Sequence, residues 1–175
     1  MDFLKGRIFL YPQKTMNIFD TIYEINAKHP NKRAMSMAMN SGERRIYTYA
    51  QVFAAVEKYA EALVNAGVKA GDRIAFVAES SPEWSIAFFA SCKIRCTAAL
   101  IDASLTGDDL DEFITRSDVR AAFVSQTAHE KLGNLAKYNF PFFNVADGTL
   151  FEDSIKTVSE DLPQSTDTDE NVACI

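Results

Sequence analysis

The feature that most constrains the fold is a regular alternation of short apolar runs and helix-start signals between residues 71 and 145. The apolar runs predicted as strands are residues 73–78, 97–101, 121–125 and 142–145. The helices between them are predicted to begin at Ser81, Thr106 and Thr127, because a hydroxyl side chain suits the N-cap position. Strands that alternate with helices form parallel sheets with right-handed crossovers. The sequence therefore predicts an α/β fold, a mainly parallel doubly wound sheet with flanking helices.

A helix is predicted to precede this unit, over residues 17–28. Three isoleucines recur at helical spacing and predict its apolar face: Ile18, Ile22 and Ile25. Phe19 and Tyr23 lie beside them in the sequence. The helix is expected to end at His29, because the residue before a proline, here Pro30, is disfavoured in the α region.

A β-hairpin is predicted to follow this helix. Residues 35–39 alternate methionine with small side chains, residues 40–42 (Asn-Ser-Gly) favour a turn, and residues 45–47 return as the second strand. The three methionines are expected to fill one face of the first strand, since a flexible thioether packs well against an irregular surface.

A long helix is expected to begin at Thr48. Gln51 stands three positions later, so that the two side chains form a capping box and each accepts a hydrogen bond from an orphan backbone N–H. The predicted apolar stripe of this helix is Val52, Val56, Tyr59, Ala60 and Leu63. Gly67 occupies the position of a C-terminal cap. On the next helix, Trp84 and the Phe88-Phe89 pair are interpreted as packing residues rather than as a ligand box.

Two later helices carry a similar N-terminal signal. Thr106 with Asp109, and Thr127 with Glu130, are predicted capping pairs. The positions of the first helix that are expected to face the core are Leu110, Phe113 and Ile114. The second helix is expected to run towards Ala136.

The charge balance excludes some classes of function. The chain of 175 residues carries 18 Lys and Arg against 24 Asp and Glu, a net charge of −6. Nucleic-acid binding needs a clustered basic surface and is therefore not expected. No apolar run approaches the roughly 20 residues of a membrane span. Three cysteines without a Cys-x-x-Cys pair favour reduced thiols, so the expected location is the cytoplasm.

The composition changes towards the end of the chain. Residues 151–170 contain seven acids, one basic residue (Lys156), a proline and several Ser and Thr. We therefore divide the chain into an α/β subdomain, residues 1–150, and a solvated acidic connector that leads to the start of another strand, residues 151–175. Because the last residues, Val172–Ile175, are apolar, we expect a strand that is truncated there.

Polar segments follow the predicted strands. They are Glu79-Ser80-Ser81, Asp102-Ala103-Ser104, Ser125-Gln126-Thr127 and Ala146-Asp147-Gly148. In an open parallel sheet, ligands bind beyond the carboxyl ends of the strands. The helix start at Ser81 is also suited to an anion. Helix capping accounts for the same residue types at these positions, so the pattern assigns no ligand to any one segment.

No residue is assigned a catalytic, cofactor-binding or metal-binding role. The sequence has neither the phosphate-loop pattern Gly-x-x-x-x-Gly-Lys-Ser/Thr nor Gly-x-Gly-x-x-Gly after a strand. His29 and His129 have no Ser or Cys partner in sequence and are interpreted as surface or capping residues. Cys92 and Cys96 lack further ligands and are expected to be packed thiols. The acids of residues 108–112 fall in the first turn of a helix, where the macrodipole favours negative charge.

The order of these motifs resembles the N-terminal part of the AMP-forming adenylating enzymes, which include acyl- and aryl-CoA synthetases, peptide-synthetase adenylation domains and luciferases. The segments that carry the resemblance are Thr48-Tyr49, residues 71–75 (Gly-Asp-Arg-Ile-Ala), residues 81–84 (Ser-Pro-Glu-Trp), residues 92–102 and residues 105–114. The likeness covers about residues 18–175. Ile94-Arg95 and Ala99 depart from it, because the family usually has a small Ala-Gly pair and a proline at those places.

This resemblance implies a two-step reaction. ATP activates a carboxylic acid as an acyl-adenylate, with Mg²⁺ neutralising the phosphates, and the thiol of CoA or of a carrier protein then takes the acyl group. The family's phosphate loop, ribose-binding acid and C-terminal lysine would all lie beyond Ile175, so no catalytic residue carries over. The expected function is therefore the N-terminal fragment of an AMP-forming ligase, with an acyl-CoA synthetase favoured.

Taken alone, this fragment is expected to be an inactive scaffold that binds neither ATP, Mg²⁺ nor CoA strongly. Its expected partners are the rest of the parent ligase chain, the carboxylic acid and the thiol. A stand-alone α/β binding or interaction module that has lost the chemistry is the alternative. The identity of the acid, the choice between CoA and a carrier protein, and the oligomeric state stay open at the level of sequence.

Overall fold

A computed structural model of the chain describes residues 16–39 and 41–158. Its helices are α1 (Ile18–Asn26), α2 (Tyr49–Asn65), α3 (Pro82–Lys93), α4 (Gly107–Arg116) and α5 (Gln126–Leu132), and a short 3₁₀ helix follows at Leu135–Lys137. Its strands are β1 (Arg33–Ala38), β2 (Arg44–Thr48), β3 (Arg73–Val77), β4 (Thr97–Leu100), β5 (Ala121–Val124) and β6 (Phe142–Asn144). The strand start predicted at residues 172–175 lies outside the described residues.

Strands β3 to β6 form one parallel sheet in the order β4-β3-β5-β6. Strand β3 is central, since Ile74 pairs with Ala98 of β4 on one side and with Ala121 of β5 on the other. The chain first moves from β3 outwards to β4 and then returns across β3 to reach β5. This reversal divides the helices between the two faces of the sheet.

Helices cover both faces of this sheet, as the predicted doubly wound fold requires. The larger apolar cluster contains Phe76 and Phe123 of the sheet together with the inner residues of α1, α2 and α3. The second cluster contains the alternate sheet residues, such as Val77 and Val124, and packs them against α4 and α5. Each strand therefore contributes to two cores, and the short continuous apolar runs of the sequence follow from burial on both sides.

The predicted first helix is confirmed as α1, but Phe19 and Tyr23 rather than Ile18 and Ile25 are the residues that pack. Ile18 and Ile25 are 48% and 59% exposed, whereas Phe19 is 4% exposed. The Phe19 ring lies edge-on to that of Phe53 on α2, with 6.1 Å between the centroids, and Tyr23 lies 4.9 Å from Phe53. Phe19 is the buried residue of the helix and Tyr23 is half-buried, so this aromatic pair anchors α1 against α2.

Three predictions for α4 and α5 were also wrong. On α4, Leu110 and Ile114 are buried as predicted, but Phe113 is 54% exposed. Helix α5 begins two residues earlier than predicted, because Ser125 rather than Thr127 is its N-cap and accepts a hydrogen bond from the Ala128 N–H at 3.2 Å. The helix ends at Leu132, well before residue 136.

The predicted starts of α2 and α3 are confirmed. Thr48 and Gln51 form a complete capping box, and the five residues of the predicted stripe are the buried residues of α2. The Ser81 hydroxyl accepts a hydrogen bond from the Trp84 N–H at 3.0 Å, with Pro82 in the first helical position. Gly67 follows the end of α2 with φ +89°, a conformation that favours glycine.

The hairpin is confirmed as well. Strands β1 and β2 pair antiparallel, with an irregularity between Arg33 and Met35. Along β1 and the residue after it, the three methionines are half-buried, while Ser36 and Ala38 between them are exposed. The methionines therefore share one face, as predicted.

Residues 149–158, which we call the C-terminal strap, run back along the free edge of β6. The Asn144 N–H donates to the Thr149 carbonyl at 2.7 Å, and the Phe151 N–H donates to the Phe142 carbonyl at 3.1 Å. Such pairing covers a sheet edge that would otherwise expose backbone groups.

The far end of the strap reaches the face of the sheet that α1, α2 and α3 cover. The Val158 N–H donates to the carbonyl of Ala66, directly after α2, at 2.8 Å. The Val158 side chain packs against the larger apolar cluster. Residues 151–158, which the sequence assigned to a solvated connector, are thus bound to the body of the fold at several points, while the division at residue 150 stays a prediction.

Candidate functional site

A shallow cleft opens at the carboxyl ends of β3 and β4. Its volume is about 420 Å³, and its walls are residues 78–80, residues 101–104 and Lys131. The chain leaves β3 towards one face of the sheet and leaves β4 towards the other, and this divergence is the place where α/β sheets bind ligands. We therefore take the cleft as the candidate functional site. It brings together two of the four polar segments that the sequence singled out.

The first wall follows β3. Glu79 and Ser80 are exposed on it, and Ser81 begins α3. We assign no anion to this helix start, because the Ser81 hydroxyl caps Trp84 and the carboxylate of Glu83 already supplies negative charge to the first turn. Ser81 therefore has a capping role.

The second wall follows β4 and is built around Asp102. Its Oδ1 accepts a hydrogen bond from the Ser104 N–H at 2.8 Å, and its carbonyl accepts one from the Leu105 N–H at 3.3 Å. The hydrogen bond from Ser104 stabilises the charged form and lowers the pKa of Asp102 below its ordinary value. The wall therefore carries a negative charge at neutral pH.

Lys131 of α5 closes the cleft, and sequence reasoning did not single it out. Its Nζ donates to the carbonyl of Ala103 at 2.7 Å and to that of Leu105 at 3.1 Å. No local sequence signal pointed to this residue, since its partners precede it by 28 and 26 positions. The cleft thus combines two carboxylates, Glu79 and Asp102, with one ammonium group.

The other two predicted segments lie outside this cleft. Ser125 caps α5, as described above. The Asp147 carboxylate accepts hydrogen bonds from the backbone N–H and the hydroxyl of Thr149, at 2.9 and 2.7 Å. The Asp147 carbonyl accepts one from Lys58 Nζ of α2 at 2.7 Å. These residues therefore hold turns in place.

His129 has a partner that its sequence neighbourhood did not reveal. Its Nε2 lies 3.0 Å from Oδ2 of Asp153 in the strap, and its ring centroid lies 4.2 Å from that of Phe151. The interpretation as a surface or capping residue was wrong for His129. It is confirmed for His29, which is exposed just after α1.

Asp153 also accepts a hydrogen bond from the Leu135 N–H at 3.1 Å. Burial alone would raise the pKa of Asp153, but the hydrogen bonds from His129 and Leu135 outweigh it, and the pKa is lowered. This carboxylate therefore fastens the strap to α5 and to the 3₁₀ helix, and it is not available to a ligand.

The two described cysteines are packed thiols, as predicted. Cys92 and Cys96 are each 3% exposed, and Cys96 Sγ lies 3.2 Å from the Lys69 carbonyl. Burial raises the pKa of the Cys96 thiol well above its ordinary value, so the reactive thiolate is disfavoured.

The acids of α4 likewise have structural partners. Asp111 accepts hydrogen bonds from Lys137 Nζ at 2.6 Å and from the Tyr138 hydroxyl at 2.5 Å. In the part of the chain that the structure describes, no three His, Cys, Asp or Glu side chains come together as a metal site. Within the same residues, no helix combines the length and the apolar character that crossing a membrane requires.

The fold and the order of its motifs are those of a known family. The chain belongs to the family of AMP-binding enzymes, whose model matches residues 22–174. Acetyl-coenzyme A synthetase of Streptomyces coelicolor is 29% identical over 107 residues, which are 61% of this chain and 16% of that protein. Oxalate–CoA ligase of Arabidopsis thaliana is 32% identical over 100 residues, 57% of this chain and 19% of that protein. The chain thus spans less than a fifth of the length of either relative.

Solved structures share the fold. The N-terminal domain of FACL13 from Mycobacterium tuberculosis matches with a TM-score of 0.63 and 17% identity, over 84% of this chain and 40% of that one. A fatty acyl-adenylate ligase from L. pneumophila also matches with a TM-score of 0.63, at 19% identity, over 75% of this chain and 23% of that one. At these identities the likeness establishes the α/β fold alone.

Proposed function

We propose that the chain is the N-terminal part of an AMP-forming ligase. The ligase would use ATP to convert a carboxylic acid into an acyl-adenylate and would then transfer the acyl group to a thiol, most simply that of CoA. The observation that carries this proposal is the family match over residues 22–174. The names of the relatives, an acetyl-CoA synthetase and an oxalate–CoA ligase among them, favour the acyl-CoA synthetase type.

Within such a ligase, these residues act as a scaffold. The cleft at the ends of β3 and β4 does not fit a polyphosphate, because Glu79 and Asp102 present carboxylates and the Lys131 ammonium already donates to two carbonyls. The described residues also lack a set of three ligands for Mg²⁺. We therefore assign no step of the reaction to this cleft, and we propose that ATP, Mg²⁺ and CoA are held by other parts of the ligase.

The proposed partners follow from this role. They are the remainder of the ligase chain, which would pack on this subdomain, the carboxylic acid, and the thiol of CoA or of a carrier protein. The net charge of −6 disfavours a nucleic-acid partner. The cytoplasm is the proposed location, where ATP and CoA are both available.

An ATP–pyrophosphate exchange assay tests the scaffold role. The 175-residue chain is assayed with acetate, oxalate, 4-hydroxybenzoate and a fatty acid, beside full-length acetyl-coenzyme A synthetase of Streptomyces coelicolor as the positive control. We expect no exchange above the protein-free background for the 175-residue chain. Thermal unfolding with and without Mg²⁺–ATP and CoA is expected to show no shift, since a ligand stabilises only a protein that binds it. Exchange with any of the acids would overturn the scaffold role.

A further inference from the structure

Lys131 contacts the loop after β4 in two ways. Its ammonium group donates to the carbonyls of Ala103 and Leu105, at 2.7 and 3.1 Å. The backbone carbonyl oxygen of Lys131 lies against Gly107. A Cβ added to Gly107 would stand 2.6 Å from this oxygen. Lys131 therefore contacts both the middle of the loop and Gly107, the residue at which the loop enters α4.

Apart from Lys131, the loop is held by the half-buried side chains of Ala103 and Leu105, which pack against the second apolar cluster. Asp102, Ser104 and Thr106 are exposed, and the described hydrogen bonds within the loop are those that Ser104 and Leu105 donate to Asp102. Exposed loops with few buried contacts open at low free-energy cost. Hydrogen bonds from an ammonium group are stronger than neutral ones and keep two carbonyls in a fixed direction.

We propose that Lys131 is the positioning residue of the cleft. It fixes the wall of residues 102–105 opposite Glu79 and Ser80, so that the cleft has its shape before any ligand enters. A preformed wall lowers the ordering cost of binding, and sites of this kind depend on such supporting contacts. The bracing of the loop by Lys131 does not rest on the proposed function, which assigns no ligand to this cleft.

Amide hydrogen exchange on the purified chain tests this role. In Lys131→Met, we expect the amides of Ser104 and Leu105 to exchange about tenfold faster, because both carbonyl contacts of the ammonium are lost. Lys131→Arg, which keeps a charged donor, is expected to restore most of the protection. Lys137→Met is the matched control, since Lys137 Nζ pairs with Asp111 at 2.6 Å and has no described contact with this loop.

Three results would overturn the proposal. They are unchanged exchange at Ser104 and Leu105 in Lys131→Met, the same increase in Lys137→Met, and an increase spread evenly over all elements, which would report general destabilisation. The measurement needs no substrate and no activity. Its failure is therefore distinguishable from a failure of the ligase assignment, which the exchange of pyrophosphate tests.

Discussion

Arg45 of β2 and Glu83 in the first turn of α3 form an ion pair, with 2.6 Å between Nη1 and Oε1. The Tyr47 hydroxyl donates to the same carboxylate oxygen at 2.5 Å. Glu83 is 7% exposed, while the side chain of Arg45 is 46% exposed. The buried carboxylate of Glu83 therefore links the β1–β2 hairpin to α3.

Removing this carboxylate is expected to destabilise the fold. Glu83→Ala leaves two donors without their acceptor and should lower the free energy of unfolding by about 2 kcal/mol. Glu83→Gln keeps a carbonyl oxygen for both donors and should cost only about 1 kcal/mol, because the charge alone is lost. Urea denaturation monitored by circular dichroism measures both values. Equal losses for the two variants would contradict the acceptor role of Glu83.

The contribution of Glu83 is expected to depend on pH. Burial alone would raise the pKa of Glu83, but hydrogen bonds from Tyr47, from its own backbone N–H and from Arg45 lower it below the ordinary 4.5. A carboxylate with a lowered folded-state pKa stabilises the fold above its unfolded pKa, and this stabilisation disappears as the pH falls through the folded value.

The difference in unfolding free energy between the natural chain and Glu83→Gln should thus be constant near pH 7 and shrink below pH 4.5. Glu112→Gln is the control, since Glu112 pairs with Arg116 on the surface of α4 and both side chains are mostly exposed. Its effect should stay near zero at every pH. A Glu83→Gln difference that persists unchanged at pH 3 would contradict this account.

Gly107 is expected to tolerate no side chain. Alanine is normally the better helix residue, by about 1 kcal/mol. At this position its Cβ would stand 2.6 Å from the Lys131 carbonyl oxygen, so the contact between α4 and α5 must shift. Gly107→Ala should therefore lower the unfolding free energy by about 1–3 kcal/mol.

Thr115→Ala, at an exposed position of the same helix, is the control for Gly107→Ala and should be neutral or slightly stabilising. Both variants are compared by thermal unfolding. A stable Gly107→Ala protein would mean that α4 and α5 do not meet as closely as the structure places them.

The strap is expected to belong to the folding unit. Two shortened chains test this by urea denaturation, one that ends after residue 158 and one that ends after residue 150. The chain that ends after residue 150 should be clearly less stable than the longer one, since it loses the hydrogen bonds that Asp153 accepts from His129 and Leu135 and the one that the Val158 N–H donates to the Ala66 carbonyl. Equal stability of the two shortened chains would support the predicted boundary at residue 150.

The sequence predicts the fold well because its strongest signals are local. The hydroxyl caps at Thr48, Ser81 and Thr106 act on backbone N–H groups three positions away, and each one begins a helix where predicted. Two hydroxyl residues compete before α5. Ser125 is the N-cap and Thr127 lies inside the helix, because β5 ends at Val124 and α5 begins directly after it.

The site was less predictable because its contacts join distant parts of the chain. The segments after β3 and β4 could be placed at one edge of the sheet by topology alone. Lys131 could not, since its two acceptors are backbone carbonyls, which every residue has. The partner of His129 was missed for a similar reason, because Asp153 lies in a segment whose acidic composition indicated a solvated connector.

The central claim is that these residues are the N-terminal part of an AMP-forming ligase. The most direct measurement is to sequence the reading frame of the natural transcript beyond codon 175. We expect a Thr/Ser/Gly-rich segment ending in Pro-Lys-Gly within a few residues, the phosphate loop that the family resemblance implies. A stop codon at that place would contradict the claim, and the protein would then be a stand-alone module that is related to the ligases by descent.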